Sequence, residues 1–421
     1  MPDGTTFDRA ASLAADPYRT AARLRRDAPV SPVTGPDGLR FWLVTRYADV
    51  KAALGDPRLS LDRRNALPGQ YRGMSLPPAL DANLLNMDPP DHTRVRRLIG
   101  PAFSGRRVEQ LRAPIQRIAD ELIDHIAPLG RADLVGSYAA PLPIAVICDL
   151  LGVPAVCRPD FRAWTDALTA PDPTQPERAK DAVAGLWRFF TELIADKRRQ
   201  GGDDLLTDLI AARDREDRLT EDELTSLAFL ILFAGYENTV HLIGNAVLAL
   251  LDHPEQVALL RDDPGLIHDM VEELLRYDGP APLAIRRFPT EDVEIGGVLI
   301  PAGETVLLSL ASANRDPAHF ADPETLNVYG ASGGHLALGH GIHYCLGAPL
   351  ARLETAIALE TVFRRLPGLA LEGPRDEVRW RQSMRSRGLL SLNVVFGTGN
   401  TDGRDASAGT PLGEGENRVS R

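Results

Sequence analysis

The longest apolar stretch of the chain, residues 227–251, most restricts what this sequence can fold into. As a helix it is long enough to span a bilayer. Polar side chains interrupt its middle, where charge is costly in lipid; they are Glu237, Asn238, Thr239, His241 and Asn245. No basic flank marks a cytoplasmic end. We therefore interpret the stretch as a helix buried in the centre of a large soluble domain, apolar all round except for one polar stripe.

Composition favours a folded cytoplasmic protein. The 421 residues include 44% hydrophobic and 25% charged residues, with a net charge of -11. No nucleic-acid partner is expected, because a phosphate-binding surface needs concentrated Lys and Arg. Cys148, Cys157 and Cys345 are too few, and odd in number, for a disulfide framework. The N-terminus has neither a basic nor an apolar signal region, so we predict a cytoplasmic location and no membrane segment.

Helical periodicity dominates the remaining chain. Helices are predicted at 47–54, 106–127, 176–199, 264–277 and 346–366, and after the capping box Thr220-x-x-Glu223. Short strands are predicted at 39–45, 293–295, 298–300 and 305–308 and near 387–396. Residues 398–421 lack apolar content, which is typical of a disordered tail. The pattern predicts one mainly α domain over residues 1–397, with small attached sheets.

The segment His335–Gly347 combines a cysteine with flexible glycines. Gly339, Gly341 and Gly347 allow tight turns and a close approach to a flat ligand. Cys345 precedes a predicted helix, whose free N–H groups and positive end favour a thiolate. Such a thiolate can ligate iron. The residues alone leave two alternatives, a buried structural cysteine and a zinc site made by His340, His343 and Cys345.

This segment resembles the cysteine loop of the cytochrome P450 family, especially its soluble bacterial members. The family pattern Phe-Gly-x-Gly-x-His-x-Cys-x-Gly matches at every fixed position except the first, where Leu338 replaces Phe. The resemblance implies the cytochrome P450 fold, with a central long helix over the haem. It also implies haem b as the cofactor, Cys345 as the iron ligand, and Gly339 and Gly347 beside the cofactor. Loss of the aromatic ring at Leu338 is expected to shift the iron potential.

A second motif lies within the central apolar helix, where Ala234–Thr239 is similar to the family's Ala-Gly-x-(Asp/Glu)-Thr-Thr. Splitting dioxygen needs two protons, so a buried acid and hydroxyl groups there are plausible relays; a satisfied helix kink is the alternative. Glu237 matches the acid and Thr239 the second hydroxyl. Asn238 departs from the usual Thr, and an amide proton exchanges less readily. We hypothesise that Asn238 stabilises dioxygen, while water, Thr239 or a substrate hydroxyl carries protons.

Glu273 and Arg276, three residues apart, share one helix face. They resemble the family's buried Glu-x-x-Arg pair, which shapes the core behind the haem. A downstream Arg completes that network in the family. Gly330 falls at the expected position here, so either the alignment slips or the triad is incomplete.

Four basic residues are candidates for the haem propionates. His92 and Arg96, four apart on one helical face, favour an anion, although a basic surface helix is the alternative. The resemblance assigns both to the propionates, together with Arg287 and His335. Because Arg286 is adjacent to Arg287, either arginine could be the one that matches the family position.

These features predict a haem-thiolate monooxygenase that hydroxylates or epoxidises a small, mostly apolar molecule, such as a secondary metabolite. Electrons would come from a ferredoxin and its reductase, because the chain has no flavin domain or Fe–S cysteine cluster. The expected docking residues are Arg106, Arg107, Arg352, Arg364 and Arg365, and a monomer is expected. By resemblance, the substrate pocket involves residues 65–85, 165–180, 230–240, 282–285 and 386–389.

Two other functions remain open from the sequence. The first is a different oxidation on the same fold, such as oxidative coupling or peroxide-driven oxygenation, which the departure at Asn238 favours. The second is a haem-binding sensor or carrier without turnover, against which Glu237 argues.

Overall fold

The structure is a computed structural model, and it describes residues 11, 13, 15–35, 37–71, 77–169, 176–216, 219–330 and 333–398. The proposed C-terminal tail therefore lies almost wholly outside the described residues. So do parts of two predicted substrate segments, at 72–76 and 170–175.

Fifteen α-helices follow one another along the described part of the chain. They are α1 Pro17–Asp27, α2 Tyr47–Gly55, α3 Pro78–Asp81, α4 Asp91–Ile99, α5 Gly105–Glu109, α6 Arg112–Ile126, α7 Pro141–Leu151, α8 Arg158–Thr169, α9 Pro176–Gln200, α10 Leu205–Glu216, α11 Glu221–Asp252, α12 Pro254–Asp262, α13 Ile267–Asp278, α14 Leu310–Ala313 and α15 Ala348–Arg365.

The predicted central helix is α11, and it organises the main core. Thr220 accepts a hydrogen bond from the Glu223 N–H while Glu223 binds back to the Thr220 N–H, which confirms the capping box. α11 packs against α3, α7, α13 and α15. By length and composition it could cross a membrane, yet 72% of its most apolar 18-residue stretch is buried inside the protein. Burial in a protein core removes the apolar sides of such a helix from water.

Small sheets lie beside the helical body. β1 (Val30–Thr34) pairs antiparallel with β2 (Arg40–Val44), which runs parallel to β8 (Val306–Leu308). A second three-stranded sheet has the order β4 (Arg131–Asp133), β10 (Asn393–Val395), β9 (Ala370–Leu371). Two two-stranded sheets join β3 (Leu59–Ser60) to β5 (Phe288–Pro289), and β6 (Val293–Ile295) to β7 (Val298–Ile300).

The structure differs from the sequence-based prediction at three boundaries. The helix predicted at 106–127 is broken into α5 and α6, because Pro114 lacks an N–H and its ring clashes with the carbonyl of Gln110. The last long helix begins at Ala348 rather than 346, with Pro349 in its first turn. Of the region 387–396, only β10 is a strand.

A buried ion pair fixes α13 to the loop that follows α14. Arg276 donates two 2.7 Å hydrogen bonds to Glu273, and their side chains are 4% and 2% exposed. The remaining guanidinium N–H groups bind the carbonyls of Asn314, Pro323 and Thr325. The pair is thus hydrogen-bonded on all sides, as a buried pair must be.

Gly330 lies beside this pair, at the position where a second arginine was expected. A Cβ at Gly330 would lie 3.8 Å from Glu273 Oε1, so the alignment has not slipped. The same carboxylate oxygen instead accepts a 3.0 Å hydrogen bond from the Asn327 N–H. A backbone donor thus provides the further hydrogen bond, and the third charge of the network is absent from the described residues.

Arg276→Met is expected to lower the free energy of unfolding by about 3–5 kcal/mol, because it leaves the Glu273 carboxylate buried without its charge partner. Arg117→Met is the matched control. Its partner Glu121 and Arg117 itself are 57% and 62% exposed, so loss of that pair should cost less than about 1 kcal/mol. Urea unfolding measures both, and equal losses would contradict a special role for the buried pair.

Candidate active site

The loop before α15 holds Cys345 at a defined place. Gly339 and Gly341 have φ values of 77° and 73°, which other residues rarely adopt. The Cys345 N–H donates a 2.8 Å hydrogen bond to the Leu338 carbonyl and closes the loop. A Cβ at Gly341 would lie 3.3 Å from the Leu54 carbonyl, so the loop packs closely on the end of α2. These glycines are therefore structural requirements of the turn.

The side chain of Cys345 is half-buried and lies beside hydrogen-bond donors and cations. Burial raises the pKa of the thiol, while the N–H groups of Gly347 and Ala348 and the charges of Arg96 and Arg352 lower it in part. A Cβ at Gly347 would meet nothing within 4 Å, so the backbone beside the sulfur borders open space. A thiolate here needs a further positive partner, and a metal ion can provide one.

A cluster of cationic and imidazole groups converges from three parts of the chain; we call His92, Arg96, Arg287 and His343 the cationic cluster. The rings of His92 and His343 lie 4.2 Å apart. Burial, together with the nearby His92, Arg287 and Arg96, lowers the pKa of His343 to about 3. Both ring nitrogens of His92, which is 1% exposed, lack a hydrogen-bond partner among the described residues. Such a cluster favours an anion.

Arg287 rather than Arg286 belongs to this cluster. Arg287 is 4% exposed, burial lowers its pKa to about 10, and its Nε has no partner among the described residues. Its backbone exchanges two 2.9 Å hydrogen bonds with Val306, which fixes its direction. Arg286 donates to the Leu85 carbonyl and to Asn86 Oδ1, at 3.2 and 2.5 Å, and Arg287 donates to the Leu59 carbonyl at 3.3 Å. The Nε of each arginine lacks a partner among the described residues, but of the two it is Arg287 whose charge lowers the pKa of His343.

His335 takes part in a different set of contacts. Its Nε2 lies 3.1 Å from Glu272 Oε2, and Arg352 binds the same carboxylate at 2.5 and 2.8 Å. Burial opposes these two partners, but together they lower the pKa of Glu272 to about 2. The propionate role of His335 stays a prediction, and His343 is the residue that the structure adds to the cationic cluster.

The polar side chains in the middle of α11 differ in their exposure and in their hydrogen bonds. The Thr239 hydroxyl donates to the Gly235 carbonyl at 2.9 Å and is buried. Asn238 is exposed, and its amide reaches the Ala234 carbonyl only at 3.4 Å. Glu237 is 17% exposed and lies 3.4 Å from the ring of His241. Asn238 and Glu237 thus keep hydrogen-bonding capacity that Thr239 uses within the helix.

The donor set fits a haem better than a zinc ion. Among the described residues, no group of three or more His, Cys, Asp and Glu side chains is placed to hold a metal. His340 is exposed, and His343 packs on His92 instead of joining Cys345. A single half-buried sulfur with N–H donors, together with the unpartnered buried nitrogens of His92 and Arg287, fits a cofactor that takes one thiolate ligand and carries two carboxylates.

The sequence alone assigned neither His343 to the cofactor site nor His241 to the surroundings of Glu237. His343 was weighed only as a zinc ligand, although it stands two residues before Cys345 in the same motif. His241 follows Glu237 by four residues, and this i,i+4 spacing on α11 was the available signal. The other partners of each residue are distant in sequence, which is why the pattern alone did not reveal them.

Comparison with known proteins identifies relatives over almost the whole chain. The family model "Cytochrome P450" matches residues 265–377. The chain is 47% identical to cytochrome P450 monooxygenase PikC of Streptomyces venezuelae over 395 residues, covering 93% of this chain and 94% of PikC. It is 42% identical to mycinamicin IV hydroxylase/epoxidase of Micromonospora griseorubida, over 89% of this chain and 94% of that protein.

A solved structure agrees with these relatives. The crystal structure of myxobacterial cytochrome P450 CYP267B1 with myristic acid matches with a TM-score of 0.87 and 42% identity. The match covers 92% of this chain and 98% of that one. The described architecture, with its central helix and small sheets, is therefore that of a known fold.

Arg287→Met is expected to speed the loss of haem, the implied cofactor, by about 10-fold or more, because one buried hydrogen bond to a carboxylate is removed. Transfer of haem to excess apomyoglobin measures the rate. Arg286→Met is the neighbouring control, and its side chain is engaged with residues 85 and 86. A faster loss in the Arg286 variant than in the Arg287 variant would reverse the assignment.

Proposed function

The chain belongs to the cytochrome P450 family, and on that basis we propose that Cys345 ligates the haem iron within a single catalytic domain spanning residues 1–397. The protein binds haem and is a monooxygenase of the type that hydroxylates or epoxidises organic molecules. The observation that carries the assignment of Cys345 is its half-buried sulfur, which faces the N–H groups of Gly347 and Ala348. A haem held there by Cys345 would supply the chemistry of dioxygen activation.

The cationic cluster would anchor the cofactor. His92, Arg96 and Arg287 offer donors to two propionates, and His343 adds a fourth group. His343 is neutral around pH 7, because its pKa is about 3. Nearby carboxylates would favour its protonated form. His335 would support this side of the site indirectly, through Glu272 and Arg352. Gly339 and Gly347 would allow the backbone to lie close beside the cofactor.

The reaction requires two protons at dioxygen. Its balance is RH + O2 + 2 e− + 2 H+ → ROH + H2O, and the uncoupled side reaction is O2 + 2 e− + 2 H+ → H2O2. Glu237 would supply the protons, because it is the acid of this motif and its side chain is 17% exposed. The Asn238 amide, which makes only a long 3.4 Å hydrogen bond to the Ala234 carbonyl, would donate a hydrogen bond to dioxygen. The Thr239 hydroxyl donates its hydrogen bond to the Gly235 carbonyl, so water would complete the route.

The substrate is proposed to be a small, mostly apolar molecule of secondary metabolism. CYP267B1 was solved with myristic acid, and mycinamicin IV hydroxylase/epoxidase is named for two oxygen insertions. Ile285, 37% exposed, and the buried segment around Gly388 lie in two of the expected substrate segments.

Electrons come from a separate redox partner, as this family requires, and we propose a ferredoxin served by a reductase. Of the five expected docking arginines, Arg352, Arg364 and Arg365 are paired with Glu272, Asp120 and Asp124. Arg106 and Arg107 are exposed on α5, which packs against α15, and make no ion pair with another described residue. These two arginines therefore remain the best candidates for attracting an acidic ferredoxin. A cytoplasmic monomer is proposed.

Labelled oxygen tests the proposed reaction. With NADH, a reductase, a ferredoxin and 18O2, one labelled atom should enter the product of a spin-shifting apolar substrate. Product that forms only with added peroxide would favour the peroxide-driven alternative, and product without inserted oxygen would favour oxidative coupling. Substrate binding without NADH consumption would favour a sensor or carrier.

The proton route predicts distinct effects for two neighbouring residues. Glu237→Gln should lower the rate of product formation by roughly 10²-fold, the usual contribution of one proton-transfer group. Asn238→Ala should divert electrons to H2O2, whereas Asn238→Thr should keep coupling near the original level. NADH consumed, product formed and peroxide released are measured together. If neither Asn238 variant changes peroxide release, the role of its amide is wrong.

A further inference from the structure

His241 is a buried imidazole that the proposed reaction does not use. It lies on α11, one turn after Glu237, and is 3% exposed. Neither Nδ1 nor Nε2 has a hydrogen-bond partner among the described residues. A buried polar group without a partner is unfavourable, so its retention calls for a reason.

The nearest polar atom explains one side of the ring. His241 Nε2 lies 3.4 Å from Glu237 Oε1, with the two side chains one helical turn apart. This distance is slightly longer than that of a well-formed hydrogen bond. A small rotation of the Glu237 side chain, which is the more exposed of the two, closes it. The Nε2–H tautomer donates to the carboxylate in that position.

The backbone of Gly388 explains the other side of the ring. A Cβ at Gly388 would lie 2.0 Å from His241 Nδ1 and 2.3 Å from Cγ. Any residue other than glycine would therefore collide with the imidazole. The ring lies directly against the chain at Gly388, so its position depends on where that segment runs.

The segment Ser386–Leu389 is itself held firmly. The Arg387 N–H binds the Pro280 carbonyl at 2.8 Å, and the Arg387 side chain binds Asp278 at 2.6 Å. Asn245, one turn beyond His241, donates to the Arg387 carbonyl at 2.9 Å. The Gly388 carbonyl accepts a 2.9 Å hydrogen bond from the Arg381 N–H. The wall behind the imidazole is thus fixed on two sides.

We propose that His241 is a positioning residue that orients the Glu237 carboxyl group and is itself oriented by the backbone of Gly388. The segment 386–389, expected to line the substrate pocket, is thereby linked mechanically to the acid that supplies protons. The proposal rests on the proposed role of Glu237. Its consequence is that displacement of the imidazole diverts electrons from ROH and H2O to H2O2.

The test compares coupling, substrate KM and thermal unfolding of the haem-loaded enzyme across variants of this contact and one control. His241→Ala should raise peroxide per NADH about three- to tenfold, within the range of coupling energies between residues in contact. Substrate KM should change less than about twofold. His241→Gln, whose Nε2 reaches as far as the imidazole Nε2, should restore coupling, and the shorter His241→Asn should not. His125→Ala, at an exposed histidine on α6, is the control.

Gly388→Ala tests whether Gly388 affects coupling through its contact with the His241 ring. In the native background the added methyl group collides with the ring, so melting temperature and coupling should both fall. With His241→Ala the space is open, and Gly388→Ala should then add nothing to either measurement. Additive effects in the double variant would overturn the link through the imidazole, because non-additivity is the mark of shared contact.

Glu237→Gln distinguishes failure of the inference from failure of the proposed function. If Glu237→Gln loses coupling while His241→Ala keeps the original coupling, the positioning role is overturned and the role of Glu237 stands. If Glu237→Gln remains fully coupled, the acid does not supply protons, and the positioning role falls with it. Restored coupling in His241→Asn as well as His241→Gln would show that Nε2 is not the orienting atom.

Discussion

The position of the half-buried Cys345 sulfur is the constraint on which the rest of the site depends. Burial alone favours the neutral thiol, and the N–H groups of Gly347 and Ala348 offset this only in part. A loop that turns through the positive φ angles of Gly339 and Gly341 is needed to bring the sulfur to the start of α15. The packing of this loop on α2 then holds it in place. The loop gives up backbone conformational freedom to hold the sulfur in this place, which is understandable if the sulfur binds a metal ion.

The positive charges of the cationic cluster also call for a partner that the described residues do not fully provide. The cationic cluster brings together α4, the strand region after α13 and the cysteine loop. The nearby Asp88 carboxylate offsets the effect of burial on the pKa values of His92 and Arg287 only in part. Burial lowers the pKa values of all four groups, and neighbouring members of the cluster lower those of His92 and His343 further. Two carboxylates would offset these effects, which links the propionate side of the site to the thiolate side. His335, Glu272 and Arg352 form a second hydrogen-bonded network, which reaches the cysteine loop where Arg352 donates to the Tyr344 hydroxyl at 3.1 Å.

Local signals in the sequence predicted local structure well. The capping box at Thr220, the span of α11 and strands β6 and β7 were predictable because each depends on neighbouring residues. The break at Pro114 was visible in principle, since proline disturbs the preceding turn. The family resemblance located Cys345, and 47% identity to PikC over 93% of the chain supports that fold and activity.

Long-range contacts were not predictable in the same way. The membership of His343 in the cationic cluster depends on residues 92 and 287, and the contact between His241 and Gly388 joins positions far apart in the chain. Gly330 could be recognised as a departure, but only the structure shows that the Asn327 N–H binds Glu273 there. Where side-chain chemistry is decided by distant backbone, periodicity and spacing carry little information.

The absorption spectrum of the reduced, CO-bound protein tests the central assignment most directly. With Cys345 as the axial thiolate, the haem-loaded protein should give a strongly red-shifted Soret band. Cys345→His should bind haem without that band, while Cys148→Ser, at a fully buried cysteine elsewhere in the core, should retain it. Absence of the band in correctly folded, haem-loaded protein, or its persistence in Cys345→His, would contradict the assignment.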